Sequence, residues 1–116
     1  MDRESAADPV ILALPTEIDI TNCDSVAAAL ADSIDNAPLV IADMTGTAFC
    51  DSAGMQVLLA AHQRAVARAC GLRVAVRPGD SVARVLAIIG LDRILDVYAS
   101  VENATQPEFA AVQLTD

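Results

Sequence analysis

Residues 43–54 read Asp-Met-Thr-Gly-Thr-Ala-Phe-Cys-Asp-Ser-Ala-Gly and join two different hydrophobic patterns. The preceding residues 39–42 are a short, continuous apolar run, which is typical of a strand buried on both faces. Over residues 55–66, apolar side chains recur every three or four positions, which predicts an amphipathic helix. The stretch is therefore a strand-to-helix junction that places a carboxylate and a hydroxyl, Asp51 and Ser52, at a helix N-terminus.

Further apolar runs on both sides of the junction extend this pattern over the chain. Residues 10–14, 72–76 and 94–98 each predict a strand, the first buried on both faces and the last either a strand throughout or a turn leading into one. Strands and helices that alternate at this spacing predict a single α/β domain. We expect a mixed, mostly parallel sheet of four to five strands with about four helices packed on it.

Polar residues and glycines mark the ends of the predicted helices. Gly71 and Gly90 stand where a glycine commonly ends a helix, and Pro107 stops the last one. The helix starts are predicted at side chains able to accept a hydrogen bond from the first turn: Thr21, Asn22 or Asp24, then Asp51 or Ser52, then Asp80 or Ser81, and finally Ser100.

The length of 116 residues predicts one domain. Polar residues 1–9 predict a flexible N-terminal arm, residues 10–111 the domain and residues 112–116 a C-terminal tail. Hydrophobic residues make up 54% of the chain and aromatic residues only 3%, so the core is expected to be aliphatic.

The net charge is −9, and all of it falls in residues 1–56, which hold ten acids and one Arg. This balance argues against binding to nucleic acid or to an anionic membrane. The chain opens on acidic residues without an apolar leader, and no apolar run is long enough to span a membrane. We therefore expect a cytoplasmic protein whose three cysteines are reduced thiols.

Catalytic and cofactor-binding motifs are missing from the sequence. There is no Lys at all, which excludes the phosphate-loop lysine, and there is neither a GxGxxG nor a GxSxG motif. The single histidine, His62, lies among apolar residues of the predicted helix and is interpreted as a packed side chain. The widely spaced cysteines do not form a zinc motif. The sequence therefore favours a protein that is not an enzyme and holds neither a metal nor a cofactor.

The junction admits two interpretations. In the first, Asp51 or Ser52 only caps the helix, which is worth about 1 kcal/mol. In the second, Ser52 also accepts a phosphate, which the N–H groups and dipole of the first turn would stabilise. Gly54 lies in the first turn, where Gly costs about 1 kcal/mol relative to Ala, and its small size would let a partner approach the backbone. Phe49 is expected to anchor the loop under the helix.

Three elements resemble the STAS family, the domain shared by sulfate transporters and anti-sigma factor antagonists. Residues 43–54 are similar to its pattern D-L-S-x-x-x-F-x-D-S-(S/A)-G. Residues 14–19 resemble the G-E-(L/I)-D element, although Thr16 replaces the glycine before the glutamate. Residues 85–95 resemble the late helix and the G-L-x-x-(L/I)-(L/F) sequence that follows it. The resemblance covers about residues 10–104, with the usual first edge strand missing or shortened.

The resemblance implies an anti-sigma factor antagonist that works by partner switching. The unphosphorylated form would bind an anti-sigma factor serine kinase, phosphorylation at Ser52 would release it, and a serine phosphatase would reset the switch. By position, the implied partner-binding residues are Asp19, Asp43, Asp51, Ser52, Ala53, Gly54 and Met55. The protein is expected to be a monomer or a weak dimer.

Other interpretations compete with this one. The alternative is a STAS accessory subunit of a lipid or anion transport complex, but such subunits usually lack the acceptor serine, so Ser52 argues against it. A nucleotide-binding enzyme is a third possibility, which the missing phosphate loop disfavours. Cys50 is interpreted as a small apolar residue, with a redox role beside Ser52 as the minority alternative.

Overall fold

The computed structural model describes residues 8–105. Its elements in chain order are β1 (Val10–Ala13), β2 (Glu17–Ile18), α1 (Cys23–Asn36), β3 (Leu39–Asp43), β4 (Phe49–Cys50), α2 (Ser52–Ala67), β5 (Gly71–Ala75), α3 (Ser81–Ile89), a 3-10 turn (Leu91–Arg93), β6 (Asp96–Tyr98) and α4 (Val101–Thr105). The predicted stop at Pro107, residues 112–116 and most of the predicted N-terminal arm lie outside the described residues.

Strands β1, β3, β5 and β6 form a sheet in the order β1-β3-β5-β6, and every described pair is parallel. Strands β2 and β4 form a separate parallel pair. The prediction of a largely parallel α/β sheet carrying about four helices is confirmed. The sequence did not predict β2 and β4, which are only two residues long. Residues 94–98 follow the second of the two predicted alternatives, a turn that leads into β6.

The main core lies on one face of the four-stranded sheet. Val40 and Ala42 of β3 and Val74 of β5 are fully buried there. They pack in one cluster with the apolar sides of α1, α2 and α3. On the opposite face, Ile41 and Ala75 pack against α4. Successive side chains of a strand point to opposite faces, so the continuous apolar run of β3 is explained by helices on both sides.

Strand β1 is less buried than its sequence predicts. It pairs only with β3 and is an edge strand of the described sheet. Ile11 is 51% exposed and Val10 is also exposed. The prediction that this run is buried on both faces is therefore wrong, because an apolar run does not distinguish a central strand from an edge strand.

The C-terminus of α2 does not use the predicted glycine. Ala69 adopts the left-handed conformation with φ 56°, and the Cys70 N–H donates to the Ala65 carbonyl at 2.9 Å, which is the Schellman arrangement. Gly71 is instead the first residue of β5, where a Cβ would lie 3.0 Å from Leu39 Cδ1. Val66, which the helical pattern placed on the apolar side, is exposed.

The predicted side-chain cap of α1 is wrong: Asn22 stands at the N-cap, but it makes no capping hydrogen bond, because its Oδ1 accepts the Asp19 N–H at 2.9 Å. The ends of α3 follow the predictions, as does the start of α4. The Asp80 carboxylate accepts the Ala83 N–H at 3.0 Å and caps α3, which Gly90 ends in the left-handed conformation. The Ser100 hydroxyl accepts the Asn103 N–H at 3.0 Å at the start of α4. Helices α1 and α2 are joined at the surface by a two-pronged ion pair, because Arg64 Nε and Nη2 lie 2.9 and 2.6 Å from the two Asp35 carboxylate oxygens.

Candidate functional site

Ser52 is the first residue of α2, and the capping role belongs to its neighbour. The Asp51 carboxylate accepts the Gly54 N–H at 3.0 Å. Ser52 is exposed, and its hydroxyl makes no hydrogen bond within residues 8–105. Of the two predicted caps, Asp51 is therefore the one used. The Ser52 hydroxyl is therefore free at the N-terminal end of α2, where the first N–H groups of a helix have no intrahelical partner.

Gly54 is buried, and its small size serves packing inside the chain. A Cβ at this position would lie 2.5 Å from Cys50 Sγ and 2.8 Å from Ile18 Cγ2. The expectation that Gly54 lets a partner approach the backbone is wrong, because the first turn of α2 is pressed against β2 and β4. The glycine thereby fixes the position of Ser52 relative to these strands.

The loop between β3 and β4 is anchored by polar contacts and not by Phe49. The buried Thr47 hydroxyl donates to the Pro15 carbonyl at 2.8 Å, and the Ala48 N–H donates to the Thr16 carbonyl at 2.7 Å. Phe49 is 50% exposed, so the prediction that it anchors the loop is wrong. It leaves an aromatic ring on the surface two residues before the capping aspartate.

Asp19 and Asp51 lie at the same ends of two paired strands. Ile18 pairs with Cys50 in register, and the Asp51 N–H donates to the Ile18 carbonyl at 3.1 Å, so the two acids follow directly from paired residues. Hydrogen bonds from the Thr21 hydroxyl and N–H lower the pKa of Asp19. Two carboxylates from the acidic residues 1–56, those of Asp19 and Asp51, therefore lie at the same edge as Ser52.

The other predicted partner-binding residues have different surroundings. The Asp43 carboxylate accepts the N–H and the hydroxyl of Thr45, at 2.9 and 2.6 Å, and closes the turn after β3. Ala53 is half-buried, and Met55 is buried with only 4% of its surface exposed. The structure thus places Asp19, Asp51 and Ser52 at one edge, whereas Gly54 and Met55 face inward.

An apolar groove of about 400 Å³ begins at Ser52 and runs between α2 and α3. Ser52, Gln56 and Leu59 follow one another along α2, so the groove extends over two helical turns, or about 10 Å. The groove is not evident from the sequence, because its wall is completed by residues that are distant from α2 along the chain: Val85, Ile89 and Leu91.

Ser81 provides an internal comparison for Ser52. Each serine is exposed at the first position of a helix and follows an aspartate whose carboxylate caps that helix. The Ser81 hydroxyl, however, donates to the Ala48 carbonyl at 2.9 Å and so binds α3 to the β3–β4 loop. Only Ser52 of this pair has a hydroxyl without such a contact and an apolar groove beside it.

Cys50 lies directly under the site. Its thiol is buried, and burial together with the negative charge of Asp51 raises its pKa to about 11. A thiol that holds its proton so firmly is a poor nucleophile, which argues against the minority redox interpretation. No group of three or more metal-ligating side chains occurs among the described residues.

The family comparison confirms the resemblance found in the sequence. The STAS domain model matches residues 1–104, and the chain belongs to this family. A search of curated proteins finds no significant match. In the part of the chain that the structure describes, no helix is long and apolar enough to cross a membrane.

Solved structures share the fold at low sequence identity. An anti-sigma factor antagonist from Mycobacterium paratuberculosis has a TM-score of 0.73 at 22% identity, over 81% of this chain and 80% of that one. The antagonist SpoIIAA in its unphosphorylated form has a TM-score of 0.70 at 20% identity, over 90% of each chain. The STAS domain of a SulP transporter from Vibrio cholerae has a TM-score of 0.65 at 16% identity, over 91% and 84%. Antagonists and a transporter domain thus share this architecture. The fold alone therefore does not separate the two roles, and the residues of the site have to be considered.

Proposed function

We propose that the chain is an anti-sigma factor antagonist of a bacterial cytoplasm, which regulates sigma-factor-dependent transcription by binding an anti-sigma factor serine kinase. The kinase phosphorylates Ser52 and the complex separates; a serine phosphatase then restores the binding form. One observation carries the proposal: Ser52 is exposed at the start of a 16-residue helix, and Asp51 takes over the cap, so the hydroxyl is free for phosphoryl transfer.

The position of Ser52 allows a phosphate without unfolding α2. Negative charge is stabilised at the N-terminus of a helix by its dipole and its unpaired N–H groups. The cap itself does not involve the Ser52 oxygen, so phosphorylation leaves the bond between Asp51 and the Gly54 N–H in place. The modified protein is therefore expected to keep its fold and to change only its surface.

The same position makes the phosphate costly in a complex. A phosphoserine adds roughly −1.5 to −2 charges and three strongly hydrated oxygens. Ser52 lines an apolar groove, so a partner seated there would have to remove water from that phosphate. Local desolvation thus opposes docking, although the acidic half still attracts a basic partner over longer distances.

Phosphorylation of the purified chain tests the proposal. The protein is incubated with its cognate anti-sigma factor serine kinase and ATP, and the phosphorylated residue is mapped by mass spectrometry. We expect a single phosphate on Ser52, its loss in Ser52→Ala, and unchanged labelling in Ser81→Ala, the matched variant at the other Asp-Ser helix start. Labelling that persists in Ser52→Ala would contradict the proposal.

A further inference from the structure

We infer that the groove between α2 and α3 receives an aliphatic side chain of the kinase, carried by a segment that places a basic residue next to the Ser52 end. The inference rests on the proposed function and adds to it the anchoring contact and its chemistry.

The shape of the groove fits an apolar anchor. Met55 and Leu91 are buried at its base, Leu59 and Val85 are half-buried, and Ile89 is 51% exposed. Its volume of about 400 Å³ is more than twice that of a cavity of about 150 Å³ that binds benzene, so it has room for an aliphatic side chain and part of its backbone. Covering this apolar surface would release water and favour association.

Charge distinguishes between the available occupants. Asp51 lines the groove, and Asp19 follows the paired strand beside it, whereas none of the lining residues is basic. A second copy of this chain would bring the same net charge of −9. The chain's own ends are also negatively charged, since residues 1–7 contain two acids and one Arg and residues 106–116 contain two acids and no base. A segment of the kinase that combines an aliphatic and a basic residue complements both parts of the surface.

The groove also explains why a modification at Ser52 controls docking. Ser52 lines the groove together with Leu59 and Ile89, so a phosphate on its oxygen stands where the anchoring segment must enter. The switch therefore needs no rearrangement of α2: the phosphate opposes the removal of water from one end of the contact.

Two adjacent isoleucines of α3 provide a matched test. Ile89 lines the groove, whereas Ile88 is 77% exposed and does not. Binding of the unphosphorylated protein to its kinase is measured by calorimetry with ADP, so that no phosphate is transferred. We expect Ile89→Ser to weaken binding about tenfold, because half of the Ile89 surface remains to be buried in the complex. Ile88→Ser is expected to change binding less than about twofold, with both variants equally folded by circular dichroism.

Each contrary result has a different meaning. If the kinase binds and labels Ser52 but Ile89→Ser binds as tightly as the wild type, the inference is wrong and the proposed function stands. If the wild type fails to bind the kinase at all, both are wrong. If sedimentation instead shows a dimer that Ile89→Ser dissociates, the groove belongs to a second copy and the inference is overturned.

Discussion

Replacing Gly54 by Ala tests whether α2 is pressed against the β2–β4 pair. In an open helix, Ala is favoured over Gly by about 1 kcal/mol. Here the new Cβ would lie 2.5 Å from Cys50 Sγ and 2.8 Å from Ile18 Cγ2, both in the core. Overpacking of a core typically costs about 1–3 kcal/mol, and two such short contacts place this site in the upper part of that range. We expect a net loss of about 1–2 kcal/mol in the free energy of unfolding.

Urea unfolding followed by circular dichroism measures this loss, because the chain contains no Trp for fluorescence. Gly46→Ala is the matched control, since a Cβ at that position would meet nothing within 4 Å, and its free energy of unfolding should change by less than about 0.5 kcal/mol. Adding Cys50→Ala to Gly54→Ala removes the shorter contact, so part of the loss should be recovered in a double-mutant cycle. A Gly54→Ala protein that is more stable than the wild type would refute the packing described.

Three further outcomes follow from the structure. Ala69→Gly should raise the free energy of unfolding by about 0.5–1 kcal/mol in the same urea assay, because it relieves a left-handed Ala, whereas Ala60→Gly at an exposed position inside α2 should lower it. The pKa of Cys50 is raised to about 11, so its folded thiol keeps a proton that the unfolded one loses. The stability from this group is present below about pH 9 and declines towards pH 11. An unfolding series over that range should therefore show a steeper decline for the wild type than for Cys50→Ala, in which Cys70 and Tyr98, whose pKa values are also raised, still titrate. Binding of the unphosphorylated protein to its kinase should weaken as the salt concentration rises. An affinity independent of salt would show that the acidic residues 1–56 do not contribute to kinase binding and serve only solubility.

The alternation of apolar strands with amphipathic helices was sufficient to predict the fold, because it is repeated several times along the chain. The buried run of β3 and the caps at Asp80 and Ser100 are local signals, and the structure places them as expected. The edge position of β1 was missed because exposure depends on strand order, which an apolar run does not encode. The two short strands were missed because two residues are too few to show a period.

The site was only partly accessible from the sequence. The motif indicated that Asp51 and Ser52 lie at the start of a helix. Because Asp51 is the cap, the Ser52 hydroxyl is free. The role of Gly54 was misread because its close neighbour Ile18 lies far away in sequence and meets it only through the β2–β4 pairing. For the same reason the groove could not be predicted, since residues of α2 meet Val85 and Ile89 only after folding.

The central claim is that a phosphate on Ser52 separates this protein from its kinase. The most direct measurement compares the dissociation constants of the unphosphorylated protein and of the protein fully phosphorylated on Ser52, at one salt concentration and with ADP bound to the kinase. We predict that phosphorylation weakens binding by at least about tenfold while the circular dichroism spectrum is unchanged. Equal affinities for two equally folded forms would contradict the account.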